Sequence, residues 1–184
     1  MADEKFHPEE ILKLEFEYAS RTAEQAQDDR TAIVNLYLLI AGGVGSIISA
    51  ASGLPPIVYF LTLGLVGVAG FFAVFQLVRL RQSWNDSALA MNRIKDFYLQ
   101  KFPTLELDKA FRWRTETIPP LNKLATITFN LALLVMIIDS IALGVALFFA
   151  SPILGTHEYI FSGLIAIIYF LVQLRFYFFQ LKNG

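Results

Sequence analysis

"VMIIDSIALGV" (residues 135–145) sets a single aspartate into a long apolar run. The run reaches from residue 124 to 157, and Asp139 is its only charge. Two further stretches, 31–78 and 159–174, carry none. About 20 apolar residues suffice to cross the hydrocarbon core of a bilayer, so these runs hold enough length for two hairpins. The chain has 184 residues, of which 55% are hydrophobic. Soluble domains reach roughly 45–50%, so it is the segregation of charge, more than its total, that decides the class. The pattern predicts an all-α, polytopic integral membrane protein, with four transmembrane helices in two hairpins and cytoplasmic helical extensions. The spans are expected at about 31–52, 57–79, 122–150 and 159–181.

Working outward from the spans, four segments follow. Residues 1–30 form an acidic cytoplasmic amphipathic helix, 31–79 the first transmembrane hairpin, 80–121 a cytoplasmic helical link and 122–184 the second hairpin. In "ASGLPPI" (51–57), Pro55 and Pro56 close one helix and open the next. Residues 79–123 carry nine Lys or Arg against five acids, net +4. Basic loops favour the cytoplasmic side, so an even number of spans puts both termini there as well. The membrane is expected to be a bacterial inner (plasma) membrane. The first thirty residues are acidic, net −5, and lack the basic start and early apolar stretch of a signal peptide. Pro8 with Glu9 and Glu10 suits a helix start, and nothing breaks the pattern from there into the first span. A second extramembrane helix (82–101) is expected to prolong the second span as far as Pro103, and a short third one to cover 105–114. Opposite net charge suggests that the acidic piece packs on the basic link. "FQLVRL" (75–80) and "VQLRF" (172–176) share a short similarity compatible with a duplicated hairpin unit.

Residues seven apart return to nearly the same face of a helix. In the third span Ala125, Ala132, Asp139 and Ala146 fall at that spacing, with Ala142 and Ala150 beside them. Small residues admit a neighbouring backbone, which places Asp139 on a packed face. The other spans carry comparable stripes: Asn35, Gly42 and Ser49, with Ala41, Gly45 and Gly53 alongside; Thr62, Ala69 and Gln76; Ser162, Tyr169, Gln173 and Gln180. Four stripes turned inward would make a four-helix bundle. Asp139 is expected roughly 20 Å above residue 125, level with Ser49, Thr62 and Ser162, neutral and hydrogen-bonded to hydroxyls. Arg175 stands about 200° around its helix from Gln173 and is expected to reach the interface instead. Two readings of Asp139 stand side by side. One is a polar clasp between helices; the other is a proton or cation site, or one member of a ring around a pore.

"FRWRTETIPP" (111–120) brings Arg112, Trp113 and Arg114 to the start of a span. They read as contacts to anionic lipid or a partner, or as ordinary interfacial anchors, and Arg175 joins them as a lipid or partner contact. Gly64, Gly67 and Gly70 form a GxxGxxG row inside a span, where helix packing or local flexibility explains it and nucleotide binding does not. The chain has no cysteine, and its two histidines, His7 and His157, lie far apart, so no metal or cofactor is expected. No nucleophile with a paired base, phosphate loop or nucleic-acid motif is present, and no catalytic residue is assigned. The expected function is that of a non-catalytic membrane module, homo-oligomeric or a subunit of a larger membrane complex, meeting a cytoplasmic protein partner through its extramembrane helices. The alternative is an oligomeric ion channel or membrane effector gated through those helices, with Asp139 lining or supporting the pathway. In layout, and in no motif, the chain resembles the small membrane-embedded effectors of bacterial defence systems.

Overall fold

The computed structural model describes residues 8–51, 53–105, 109, 111, 113–154 and 158–183. Four α-helices carry the fold: α1 (Pro8–Ala50), α2 (Pro56–Lys101), α3 (Ile127–Leu154) and α4 (Glu158–Asn183). Short 3-10 turns lie at Pro103–Leu105 and Thr115–Thr117. Each of the four helices holds a stretch long and apolar enough to cross a membrane. The acidic N-terminal segment runs unbroken into the first apolar stretch, and the second apolar stretch runs on to Lys101, as the absence of helix breakers predicted.

The helix ends follow local chemistry. α1 stops at Ala50, and the Tyr59 hydroxyl donates to the freed Ala51 carbonyl at 3.1 Å. Pro56 opens α2 at a position where a missing N–H costs nothing. α3 starts at Ile127, five residues later than the sequence suggested. Ala125 has φ of 61°, a left-handed conformation that a helix cannot contain. Thr126 then caps the helix, its Oγ1 accepting from the Phe129 amide at 3.2 Å. Ala125 therefore lies before the helix and is exposed, not part of the seam. The expected short helix at 105–114 is not continuous either, since 111, 113 and 114 are not helical.

The chain divides into two compact units, Met1–Asp28 with Leu80–Leu121, and Asp29–Arg79 with Asn122–Gly184. In the first, the acidic segment of α1 and the basic link do belong together. Ala19, Ala23 and Ala26 are buried at helical spacing on one face of α1, while Asn85, Ser87 and Asn92 are buried on α2. Glu9 Oε1 and Lys101 Nζ pair at 3.5 Å, both largely exposed, so the pair adds little stability.

The second unit is a bundle of four apolar segments. α3 and α4 run antiparallel: Phe129 meets Tyr177 and Phe178, Phe148 meets Tyr159, and Gly144 approaches Ala166 between those ends. A Cβ on Gly144 would stand 2.9 Å from that of Ala166, so glycine sets this separation. α2 packs on α3 through Tyr59 stacked on Phe149 (4.3 Å between ring centres) and through Gly67 against Leu143. Polarity is reversed relative to a soluble domain. Asp139, Gln173 and Ser140 are buried, while Leu39, Leu65, Ile160 and Ile167 are exposed.

The stripe predicted to turn inward is inside on α3 and α4 but not on α1 and α2. On α1, Asn35, Gly42, Gly45 and Ser49 are exposed. Val34 and Tyr37 are buried, with Arg30, Ala41, Val44 and Ile48 half-buried on the same side. That side continues from Arg30, whose Nη1 donates to Thr128 Oγ1 on α3 at 3.2 Å. On α2, Gln76 is exposed, and Val66, Gly70, Ala73, Val74 and Leu77 fill the inside. In both helices the face chosen is the one that offers bulk to the core, or a glycine where a neighbour comes closest.

Candidate functional site

Asp139 is fully buried near the middle of α3. Its Oδ1 accepts a hydrogen bond from Gln173 Nε2 of α4 at 3.0 Å and a longer one from Ser140 Oγ at 3.4 Å. Gln173 is itself fully buried. α2 covers the carboxyl from the other side. A Cβ built on Gly70 would overlap the Asp139 side chain, standing 2.7 Å from its carboxyl carbon. Only glycine lets the α2 backbone lie against this group. One turn away, the Tyr169 hydroxyl donates to the Gly67 carbonyl at 2.9 Å and ties α4 to α2. α1 contributes Tyr37, 2% exposed, whose hydroxyl lies near the Asp139 carboxyl. The cluster thus draws on all four helices of the bundle.

The partners differ from those expected. Asp139 stands twelve residues into α3, roughly 18 Å from its first residue. With fifteen residues still to follow, that is mid-helix. Gln173 is the side chain that α4 brings to this height. The three hydroxyls expected there are satisfied on their own helices: Ser49 on Gly45 O at 2.8 Å, Thr62 on Val58 O at 2.6 Å, and Ser162 on Tyr159 O at 3.2 Å. Asp139 Oδ2, Gln173 Oε1 and the Tyr37 hydroxyl are buried without a hydrogen-bond partner among the described residues. Buried polar atoms of that kind are uncommon, and three of them share this one cluster.

Of the remaining candidates, Asn35 and Gln76 point away from the bundle and Thr62 is half-buried. Arg175 is exposed and does not meet Asp139, in keeping with its position on the helix. Trp113 is 49% exposed. Arg114 pairs with Asp96, Nε to Oδ1 at 3.6 Å, so its charge is partly used inside the protein. Arg112, His7 and His157 lie outside the described residues. Tyr37 and Gly70 were not singled out as site residues. Gly70 had a signal in the GxxGxxG row, and Tyr37 had one in its spacing of seven from Arg30 and Val44.

Chemically the cluster offers one carboxyl, one carboxamide and three hydroxyls in the interior of the bundle. Among the described residues no group of three His, Cys, Asp or Glu is placed to hold a metal ion. What the arrangement does is join helices: the Asp139–Gln173 bond links α3 to α4, the Gly70 contact links α3 to α2, and Tyr169 links α4 to α2. No protein-family model, curated protein or solved structure matches this chain.

Proposed function

We propose that the chain is a non-catalytic, four-span integral membrane module that self-assembles, or joins other subunits, through the outward face of α1. Its termini and charged helices lie on the cytoplasmic side of a bacterial inner membrane. The observation that carries this reading is the open face of α1. Nothing stands within 4 Å of a Cβ built on Gly42, Gly43 or Gly45. In lipid, a helix face of small residues gives up packing that leucine would supply, and a second helix recovers it by close approach. Ser46 and Ser49 bond back to Gly42 O and Gly45 O at 2.9 and 2.8 Å, leaving that face smooth. Asn35, seven residues before Gly42, adds an amide able to bond across such an interface. In the polar unit, Ile11, Leu14 and Tyr18 are exposed at helical spacing on α1, an apolar ridge suited to a cytoplasmic protein partner.

Native mass spectrometry of the protein in lipid nanodiscs tests the reading. The wild type is expected as a defined oligomer. Replacing Gly42 and Gly45 together by leucine should reduce it to monomer with helix content unchanged. A wild type that is monomeric across lipid compositions, and that recovers no membrane partner after cross-linking in its native membrane, would sink the idea.

A further inference from the structure

A second feature lies in the polar unit, between α2 and the 113–119 loop. Trp84, Met91 and Lys95 stand on one face of α2, at spacings of seven and four. Trp113, Ile118 and Pro119 form the facing wall. Between them is a cavity of about 280 Å³. The wall is anchored: Thr115 Oγ1 donates to Asp96 Oδ2 at 2.5 Å, and Arg114 Nε stands 3.6 Å from Asp96 Oδ1. The Arg114 amide closes the turn on Thr117 Oγ1 at 2.8 Å. Asp96 is therefore occupied outside the cavity.

Among the described residues Lys95 is the only charged side chain in the lining; it also borders a second hollow, on the α1 side, where Glu17 is the acid. Its ammonium donates to Asn92 Oδ1 at 3.2 Å and stands 5.9 Å from the centre of the Phe111 ring. Among the described residues it forms no ion pair. Arg81 stacks on the Trp84 ring at 5.0 Å. Shape narrows the occupant. Trp84 and Lys95 are eleven residues apart on one helix, about 16 Å, which suits a chain better than a compact ring. The volume falls at the small end of ligand pockets, which begin at roughly 300 Å³, too little for a two-chain lipid.

We propose that this cavity binds a single-chain amphiphile with one anionic head group, its chain between the two indoles and its head at Lys95. A fatty carboxylate and a lysophospholipid phosphate share that chemistry.

The chain has two tryptophans, and both line the cavity, so intrinsic fluorescence reports on it directly. The full-length protein in zwitterionic nanodiscs would be titrated with brominated laurate, with brominated lauroyl lysophosphatidylglycerol and with the methyl ester of the brominated laurate. Saturable quenching at one anionic chain per protein is expected, with the ester far weaker. The tighter of the two anions identifies the source. Lys95→Gln should weaken the anion by about tenfold and leave the ester unchanged, while Lys95→Arg should restore it. Circular dichroism of each variant shows whether its fold is intact. Quenching that rises linearly with mole fraction, equally for acid and ester, or that is indifferent to Lys95→Gln in a folded protein, would overturn the proposal.

Discussion

At residue scale, the question posed by Asp139 is why a carboxyl sits in an apolar run. Its geometry answers with a bond across helices, Gln173 Nε2 to Asp139 Oδ1 at 3.0 Å, in a site with no exposed surface. Such bonds in membranes contribute about 0.6 kcal/mol on average and at most about 1.7, because an unfolded helix in lipid also finds partners. A double-mutant cycle of Asp139→Ala and Gln173→Ala, followed by denaturant unfolding in bicelles, should give a coupling energy in that range. Each single change should cost more than the coupling, since it also leaves a space and an unpaired polar atom. Zero coupling would mean that the bond does not hold the helices together. Both residues were legible as polar groups at heptad spacing, and here, unlike Asn35 on α1 and Gln76 on α2, the face that carries them is packed. Their pairing was not. It depends on the register of α4 against α3, which the Gly144–Ala166 approach and the aromatic contacts at both ends set, and the periodicity of a single helix carries no register between helices.

At the scale of elements, the long helices were readable because nothing from Pro8 to Ala50, or from Pro56 to Lys101, breaks the pattern. Which face each helix turns inward was readable only for α3 and α4. In α1 the small residues invite a neighbour, yet Val34 and Tyr37 fill the core and the glycines stay outside. Small residues mark where a helix can approach, and they do not say which helix comes. The glycine row of α2 makes the point within one element. Gly70 lies against Asp139, whereas a Cβ on Gly64 would meet nothing within 4 Å. Gly70→Ala should therefore destabilise the bundle by about 1–3 kcal/mol through overpacking. Gly64→Ala should be neutral or slightly stabilising, as helix propensity alone predicts. Thermal unfolding of the two variants in the same detergent separates them. Equal effects would mean that α2 does not approach α3 as closely as Gly70 requires.

At the scale of the molecule, the bundle buries Asp139, Ser140, Ser162 and Gln173 among valines, alanines and Leu77, and turns many of its leucines and isoleucines outward, an arrangement suited to a lipid solvent. This bears on the ion-channel alternative. A ring of aspartates around a pore needs each carboxyl to face an axis shared by several copies. Asp139 faces the inside of a single chain, between Gly70 on one side and Gln173 on the other. Among the described residues, the outward faces of the apolar stretches offer Asn35, Gly42 and Ser49 on α1 and no acidic group. Asp139→Asn is close to isosteric and keeps an oxygen able to accept from Gln173. If the carboxyl is a clasp, the variant should assemble with the same number of subunits in nanodiscs as the wild type. It should also leave any current across a planar bilayer unchanged in size and ion preference. A changed ion preference with unchanged subunit number would put Asp139 on a conducting path, and the bundle would then have to open between α2 and α4 to expose it.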